Sequence, residues 1–410
     1  MRLCIMRAGD LLPFSSDVRP MRSDLIAMEA SHRGWDVTIV RPSFCHHTKR
    51  FMEEKLDFSP EAYKTRYLEC GGYQGHMSFR RVLFHFRYGA ECFRFLLNSG
   101  LESQSKYDAC VFVSTPLEAC FMAMVACKFK KITFVLDLQD VWPDAIIKRL
   151  SIFKRIIFSP FLAFQKLLQI ATFRYSDSVI SVSAGFLSRT ARLREAKRKN
   201  DDVFFLGYPV PEKQITLGKK AGGNHDSFEK PRFTFTYVGT LSHNYVLETV
   251  LAAAKILSKR QVDCEFIIIG DGPDGKRLRE ISDDIQIVSF LGWQDFSQIS
   301  EVFRRTSVGL IPCDSDIDTM PNKLFEYVCN RIPVLSSLEG EAQRFIEENN
   351  VGFSYGAYDV ESLVRLCLRL EGDRELVYNL KRNCEAIADS LSAPKVYKRL
   401  VEHLSRLRQK

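Results

Sequence analysis

The sequence predicts an α/β protein of two Rossmann-like domains facing across a cleft, and three observations carry that expectation. The chain has 410 residues, more than one hydrophobic core usually organises and enough for two domains of about 200 residues each. Short apolar strands alternate with helical stretches throughout, the pattern of βαβ units on a parallel sheet. A polar, glycine-rich stretch over residues 217–230, L-G-K-K-A-G-G-N-H-D-S-F-E-K, interrupts that alternation, which starts again at Phe233. Such a stretch has the composition of an exposed linker. The expected boundaries are 1–212 for the first domain, 213–230 for the linker, 231–391 for the second domain and 392–410 for a terminal helix.

The opening M-R-L-C-I-M-R-A-G-D carries charges inside its apolar run and soon meets Pro13, so it is read as a first strand and not a signal peptide. Further strands of the first half are expected at residues 36–40, 109–113, 133–136 and 178–182. No run of about 18 uncharged apolar residues occurs, so no membrane-spanning helix is expected. Twelve cysteines are scattered without a C-x-x-C pair or zinc spacing, which argues for free thiols in a reducing cytoplasm.

Formal charge is uneven. Residues 1–212 hold 31 Lys+Arg against 22 Asp+Glu, a balance of +9, whereas the chain as a whole carries +8. All the basicity therefore lies in the first half, where it suits an anionic lipid surface or is simply a solvated face; nucleic acid is not the expected partner. Within it, residues 146–173 are apolar with Lys148, Arg149, Lys154, Arg155 and Lys166 interspersed and Pro160 interrupting. That composition fits an interfacial segment with its cations at lipid headgroups, or a kinked core helix. Residues 78–88, S-F-R-R-V-L-F-H-F-R-Y, belong to the same surface or to an ordinary amphipathic helix.

The most informative segment is residues 318–334, D-T-M-P-N-K-L-F-E-Y-V-C-N-R-I-P-V. Pro321 or Asn322 opens a helix there, since proline is favoured in a first turn whose N–H groups are unpaired. Lys323 and Glu326, three apart, share one face at about 5 to 6 Å between Cβ atoms. The ammonium and the helix N-terminus suit phosphate oxygens, and the carboxylate suits ribose hydroxyls. An amphipathic helix with an ordinary Lys/Glu pair has the same spacing.

This helix, followed by the strand R-I-P-V-L, resembles the donor half of the family 4 (group 1) glycosyltransferases of GT-B fold, of the type that builds bacterial surface polysaccharides. The resemblance runs on in order through F-T-Y-V-G-T-L from Phe235, E-F-I-I-I-G-D-G-P from Glu265, V-S-F-L-G-W from Val288 and V-G-L-I-P from Val308. In the first half, V-L-D-L-Q-D-V-W-P-D from Val135 is similar to the family's D-x-W-P segment. It implies transfer of a sugar from a nucleotide-diphosphate sugar (UDP- or GDP-linked) to an acceptor, here a polyprenyl-linked saccharide. Retention of anomeric configuration, no metal or other cofactor, and a cytoplasmic site at the inner membrane face are implied as well. Gly9, Gly239, Thr240, Gly272, Arg277, Leu291, Trp293, Asn322, Lys323 and Glu326 are the donor contacts it implies. Asp140, Lys323, Glu326 and Asp318 are the catalytic candidates. The terminal helix would pack back across the interdomain region.

Two departures stand out. The family's R-x-x-x-K-G cations after the first glycine turn are replaced by Thr240 and Asn244 in G-T-L-S-H-N-Y, leaving Arg277 or Lys276 to supply charge, or a weaker hold on the donor. The family's paired glutamates are represented by Glu326 and, eight residues before it, the shorter Asp318. His243 lies in the altered turn and can reach the diphosphate. For Asp140 a buried N-cap is the competing role. Two further motifs give different chemistry. Gly270-Asp-Gly272-Pro-Asp-Gly275 matches the dinucleotide fingerprint, but Pro273 fits a turn and no carboxylate follows for an NAD ribose. Asp314, Asp316 and Asp318 have the spacing of a metal-binding D-x-D, though solvated loop acids read the same way. A non-catalytic nucleotide-sugar-binding scaffold and a nucleotide-sugar epimerase are the alternative functions.

Overall fold

A computed structural model describes residues 1–9, 20–46, 49–51, 62–74, 78–100, 106–194, 199–208, 232–314 and 320–407, with backbone alone at 145, 148 and 149. Asp316, Asp318 and the linker expected at 213–230 lie outside the described residues. Two compact units emerge, Met1–Phe205 with Val396–Lys410, and Leu206–Lys395.

The first unit is built on a seven-stranded parallel sheet in the order β3-β2-β1-β4-β5-β6-β7. Its strands are β1 (Arg2–Met6), β2 (Asp36–Pro42), β3 (Lys64–Leu68), β4 (Ala109–Val113), β5 (Thr133–Leu138), β6 (Ser178–Ser181) and β7 (Asp202–Val203). Every residue of β4, A-C-V-F-V, is buried, as expected of a strand inside a parallel sheet covered on both faces. Helices α1 (Arg22–His32), α2 (Phe79–Asn98) and α3 (Leu117–Lys130) follow in turn. Ser78 caps α2, its hydroxyl accepting from the Arg81 N–H at 3.2 Å, which satisfies one of the free first-turn donors.

The apolar, basic segment forms three helices, α4 (Asp144–Arg149), α5 (Ile152–Ile157) and α6 (Ser159–Tyr175). Pro160 stands in the first turn of α6, where proline is compatible with a helix, so the break falls at Phe158. The core-helix reading holds for one face of α6, which buries Leu162, Gln165, Leu168, Gln169, Thr172 and Phe173. It does not hold for α5, none of whose residues is buried. Ile152, Phe153, Ile156 and Ile157 are 63 to 77% exposed.

The second unit carries a six-stranded parallel sheet in the order β10-β9-β8-β11-β12-β13. These strands are β8 (Phe233–Val238), β9 (Cys264–Ile269), β10 (Val288–Gly292), β11 (Val308–Ile311), β12 (Val334–Ser336) and β13 (Gly352–Ser354). In its core Phe235 stacks on Phe266 at 4.8 Å between centroids and meets Phe233, tilted, at 5.0 Å. In the terminal helix Ala393–Leu407 the residues from Val396 on belong to the first unit. There His403 meets the Ser178 hydroxyl at 3.1 Å, and Tyr397 lies under the Arg22 guanidinium at 5.8 Å.

All twelve cysteines are buried and free. Among the described residues no helix is long and apolar enough to cross a membrane.

Candidate functional site

Each sheet reverses its strand order once, between β1 and β4 in the first unit and between β8 and β11 in the second. Ligands of open parallel sheets bind beyond the carboxyl ends of the strands at such a point. The residues that follow β8 and β11 are therefore where the chemistry of the second unit belongs.

Lys323 occupies that place. The Asn322–Cys329 helix begins after an extended Pro321, with no side chain capping its first turn, so its leading N–H groups face outward as an anion-binding end. Lys323 extends from this turn beneath the backbone after β8. Its ammonium donates to the Tyr237 hydroxyl at 2.8 Å and lies 4.0 Å from the Tyr237 ring centroid and 3.5 Å from that of Tyr245. Tyr237 comes from β8. Tyr245 is bridged to Cys313, just past β11. Burial holds the Lys323 pKa down to about 7, with Cys313 and Glu326 opposing that fall. A lysine held among aromatic rings and short of a counter-charge is one that an arriving diphosphate would recharge.

Glycine is required where this cation meets the chain. Gly239 has φ +150, and a Cβ there would lie 2.3 Å from the Lys323 Nζ. A Cβ on Gly270, φ +132, would sit 1.9 Å from the Gly239 carbonyl oxygen, and one on Gly272 would sit 2.3 Å from that of Leu241. The turns after β8 and β9 thus lie backbone against backbone. They are joined by Gly239 N–H to Ile269 O at 2.9 Å, Leu241 N–H to Asp271 O at 3.0 Å and Asp274 N–H to Leu241 O at 3.0 Å. This packing explains Gly270 and Gly272 in the G-x-G-x-x-G string without a dinucleotide.

Tyr327, four residues after Lys323, fixes the helix to the sheet. Its hydroxyl donates to Thr236 O at 2.9 Å and accepts from the Val238 N–H at 3.0 Å. Its ring covers Gly309, where a Cβ would come within 2.5 Å of it. Glu326 is half-buried on the same helix and accepts from the Tyr208 hydroxyl at a long 3.4 Å.

The remaining candidates of this unit lie around the box. Thr240 and Asn322 are exposed, and the Thr240 carbonyl accepts from the Tyr237 hydroxyl at 2.7 Å. Arg277 pairs with Glu248 across the surface and Lys276 reaches Glu280 at 3.9 Å. His243 is exposed in the turn. At the end of β10 the register shifts between Phe290 and Gly292, and Leu291 and Trp293 stand 38% and 76% exposed. Tyr237, Tyr245 and Tyr327 were not anticipated from sequence. The one available signal was tyrosine four residues after the lysine, on the same helix face.

In the first unit Gly9 follows β1 with nothing within 4 Å of a Cβ placed on it. Asp140 follows β5 and is exposed, its N–H and carbonyl both bonded to the Ser114 hydroxyl, at 3.3 and 3.2 Å. It is not the N-cap residue of the next helix, which starts at Asp144 after Pro143. At the same end of β5 a polar chain runs from buried Arg22 and Asp137 to half-buried Gln139 and Arg7. Arg22 meets Asp137 at 3.0 Å, Gln139 donates to Asp137 at 2.6 Å, and Arg7 donates to Gln139 at 2.8 Å. The V-W-P segment is tied down by α6, with Trp142 donating to Gln165 at 3.2 Å and Gln169 to the Trp142 carbonyl at 2.8 Å.

Residues 224–386 match the family described as group 1 glycosyl transferases. The matched residues lie within the second unit. One curated relative is WcaL of Escherichia coli K12, named for glycosyl transfer in colanic acid biosynthesis. It is 25% identical over 135 residues, which are 31% of this chain and 33% of that protein, so the match spans about a third of the relative. Among solved structures, WaaG, a glycosyltransferase involved in lipopolysaccharide biosynthesis, superposes with a TM-score of 0.66 over 98% of this chain and 99% of its own, at 13% identity. Anabaena HepE in complex with UDP does so with 0.66 over 99% of both chains, at 13% identity. The fold is GT-B.

Proposed function

We propose that the chain is a transferase that moves a sugar from a UDP-linked donor to a lipid-linked saccharide during synthesis of a cell-surface polysaccharide, at the cytoplasmic face of a membrane and with retained anomeric configuration. The observation that carries the donor half is Lys323, held in its tyrosine box at the switch point of a group 1 domain. HepE, which shares the fold, is found with UDP and with UDP-glucose, and this favours UDP over GDP.

Transfer breaks the anomeric C–O bond while charge grows on the departing diphosphate, so a fixed cation and helix N–H groups at that diphosphate lower the barrier. Lys323 and the first turn of its helix take that role, and Glu326 takes the ribose hydroxyls. Trp293 and Leu291 border the nucleobase, Thr240 and Arg277 border the phosphates, and Asp140 contacts the transferred sugar beside Gly9. Asp318 is kept as a second acid of the sugar site. No side chain is nominated as a base, and no metal is required.

The acceptor half rests on the first unit. Its exposed apolar residues on α5, with Lys154 and Arg155 among them, suit a lipid interface. Melting the protein with UDP, GDP and their sugar conjugates in excess tests the reading. Saturation at about 100 times the dissociation constant adds roughly 2.7 kcal/mol, a rise of a few degrees that Glu326→Ala should reduce. If no sugar nucleotide moves the transition, the donor reading fails, whereas a shift without turnover makes the chain a scaffold and not a transferase. Turnover that stops in EDTA and returns with Mn²⁺ would overturn the metal-free mechanism.

A further inference from the structure

Hydrophobic exposure is concentrated on one part of the first unit. Of the eighteen large hydrophobic side chains that the described residues leave exposed, eleven lie on α2, α5, α6 and Phe158 between the last two. That density marks an interaction surface and not a scatter of single residues. On α2, Phe79, Leu83 and Phe86 fall in one line at helical spacing, and Arg80 and Arg87 fall in the line beside it. All five are exposed, whereas Phe84, Tyr88, Cys92 and Leu96 on the other side are buried. Phe86 carries the strip across to α6, where it stacks on Phe164 at 6.2 Å. Leu167 follows on α6, and the exposed apolar residues of α5 continue the surface through Phe158.

The charges on these helices indicate what covers them. Together α2, α5 and α6 carry eight Lys and Arg side chains against a single carboxylate, Glu91, and Glu91 is paired with Arg94. An apolar strip flanked by cations and nearly free of carboxylates complements an anionic lipid surface, where long basic side chains bury their stems and keep their charge at the headgroups. Among the described residues no helix is long and apolar enough to cross a membrane, so these helices would lie on a bilayer and not span it. The side of α6 turned away from Leu167 holds Trp142 through Gln165 and Gln169. A bilayer on the outer side therefore stands one helix away from the segment that leads from Asp140.

We infer that α2, α5 and α6 form one face that lies flat on an anionic bilayer, with Phe79, Leu83 and Phe86 at the acyl boundary and Arg80 and Arg87 at the headgroup phosphates. This rests on the lipid-interface reading given to α5 above, extends it to α2 and names the lipid as anionic. It is independent of the donor site around Lys323.

The test is cosedimentation of the full-length protein with vesicles of phosphatidylglycerol and phosphatidylcholine in equal parts, or of phosphatidylcholine alone, beside a melting curve with and without UDP. The wild type should bind the mixed vesicles more tightly than the neutral ones. Arg80→Gln and Arg87→Gln should each weaken binding to the mixed vesicles about fivefold at low salt, the equivalent of about 1 kcal/mol per cation near an anionic surface, and much less at high salt. Phe79→Ser with Leu83→Ser should weaken binding at either salt, and because both residues are exposed the melting temperature and its shift with UDP should stay as in the wild type. No binding to the mixed vesicles overturns the inference, and equal binding to both vesicle types overturns the anionic assignment. Full binding by the Phe79→Ser, Leu83→Ser variant removes α2 from the face. A wild-type dimer that this variant dissociates, in a protein that ignores vesicles, makes the surface a contact between two copies. Vesicle binding with no UDP shift upholds the docking face and brings down the donor reading instead.

Discussion

If Lys323 holds the donor as proposed, binding is a protonation event. With its pKa near 7 in the unliganded box, the side chain at pH 8.5 is almost wholly neutral, whereas beside a diphosphate its pKa returns to the ordinary value of about 10.4 or above. Binding should then draw in about 1 proton per donor at pH 8.5 and about 0.1 at pH 6, and above pH 7 the dissociation constant should rise about tenfold per pH unit. A UDP-sugar suits the measurement, because its phosphates do not titrate in this range. Calorimetry with UDP-glucose in two buffers of different ionisation enthalpy, at each pH, gives the proton count directly. Lys323→Met should abolish the pH dependence and weaken binding. The same variant should stabilise the empty protein. A lysine whose folded pKa lies below its unfolded value makes the unfolded state bind more protons between the two, so native stability rises with pH through that window and is lowest below pH 7. Equal proton uptake at pH 6 and pH 8.5, or uptake that persists in Lys323→Met, would refute this account of the box.

Three further outcomes follow from the geometry. Gly270→Ala should destabilise the second unit by 3 kcal/mol or more, on the order expected when a methyl group is forced onto a rigid backbone oxygen at an unfavourable φ, and urea unfolding would reveal it; a change under 1 kcal/mol would mean that the two turns part easily. His403 is buried against Ser178, and burial keeps its pKa below the ordinary value. The unfolded chain therefore takes up the proton first as pH falls through about 6.5, so stability should decline below that pH and His403→Gln should flatten the decline. Replacing Ile156 and Ile157 with serine should release the protein from vesicles of anionic lipid in a flotation assay without moving its melting temperature, and unchanged flotation would remove α5 from the interface.

The strands that the sequence made legible are those rich in apolar and β-branched residues, such as A-C-V-F-V in β4 and F-T-F-T-Y-V in β8. Three were missed for a shared reason. β3 reads K-T-R-Y-L and has four of its five residues partly or fully exposed, β7 has two residues, and β13 has three. Edge strands this short or this polar carry no periodic signal. At the site, the spacing of Lys323 and Glu326 was readable because a helix turn fixes it locally. The tyrosine box was not, since Tyr237, Tyr245 and Tyr327 arrive from a strand, a loop and a helix and meet only through the sheet order. The two-sided character of residues 146–173 was also hidden, because composition does not say which face of α6 finds a partner.

The buried thiols turn the molecule into its own unfolding recorder. Seven of them, from Cys4 to Cys127, are distributed through the first unit and five, from Cys264 to Cys384, through the second. Because none is accessible in the native state, an alkylating reagent reacts only when the segment around a given cysteine opens. Peptide mass spectrometry after timed alkylation would therefore date the opening of each region in the unmodified protein, and a bound sugar nucleotide should selectively delay Cys313, before the helix that carries Lys323, and Cys329, its last residue.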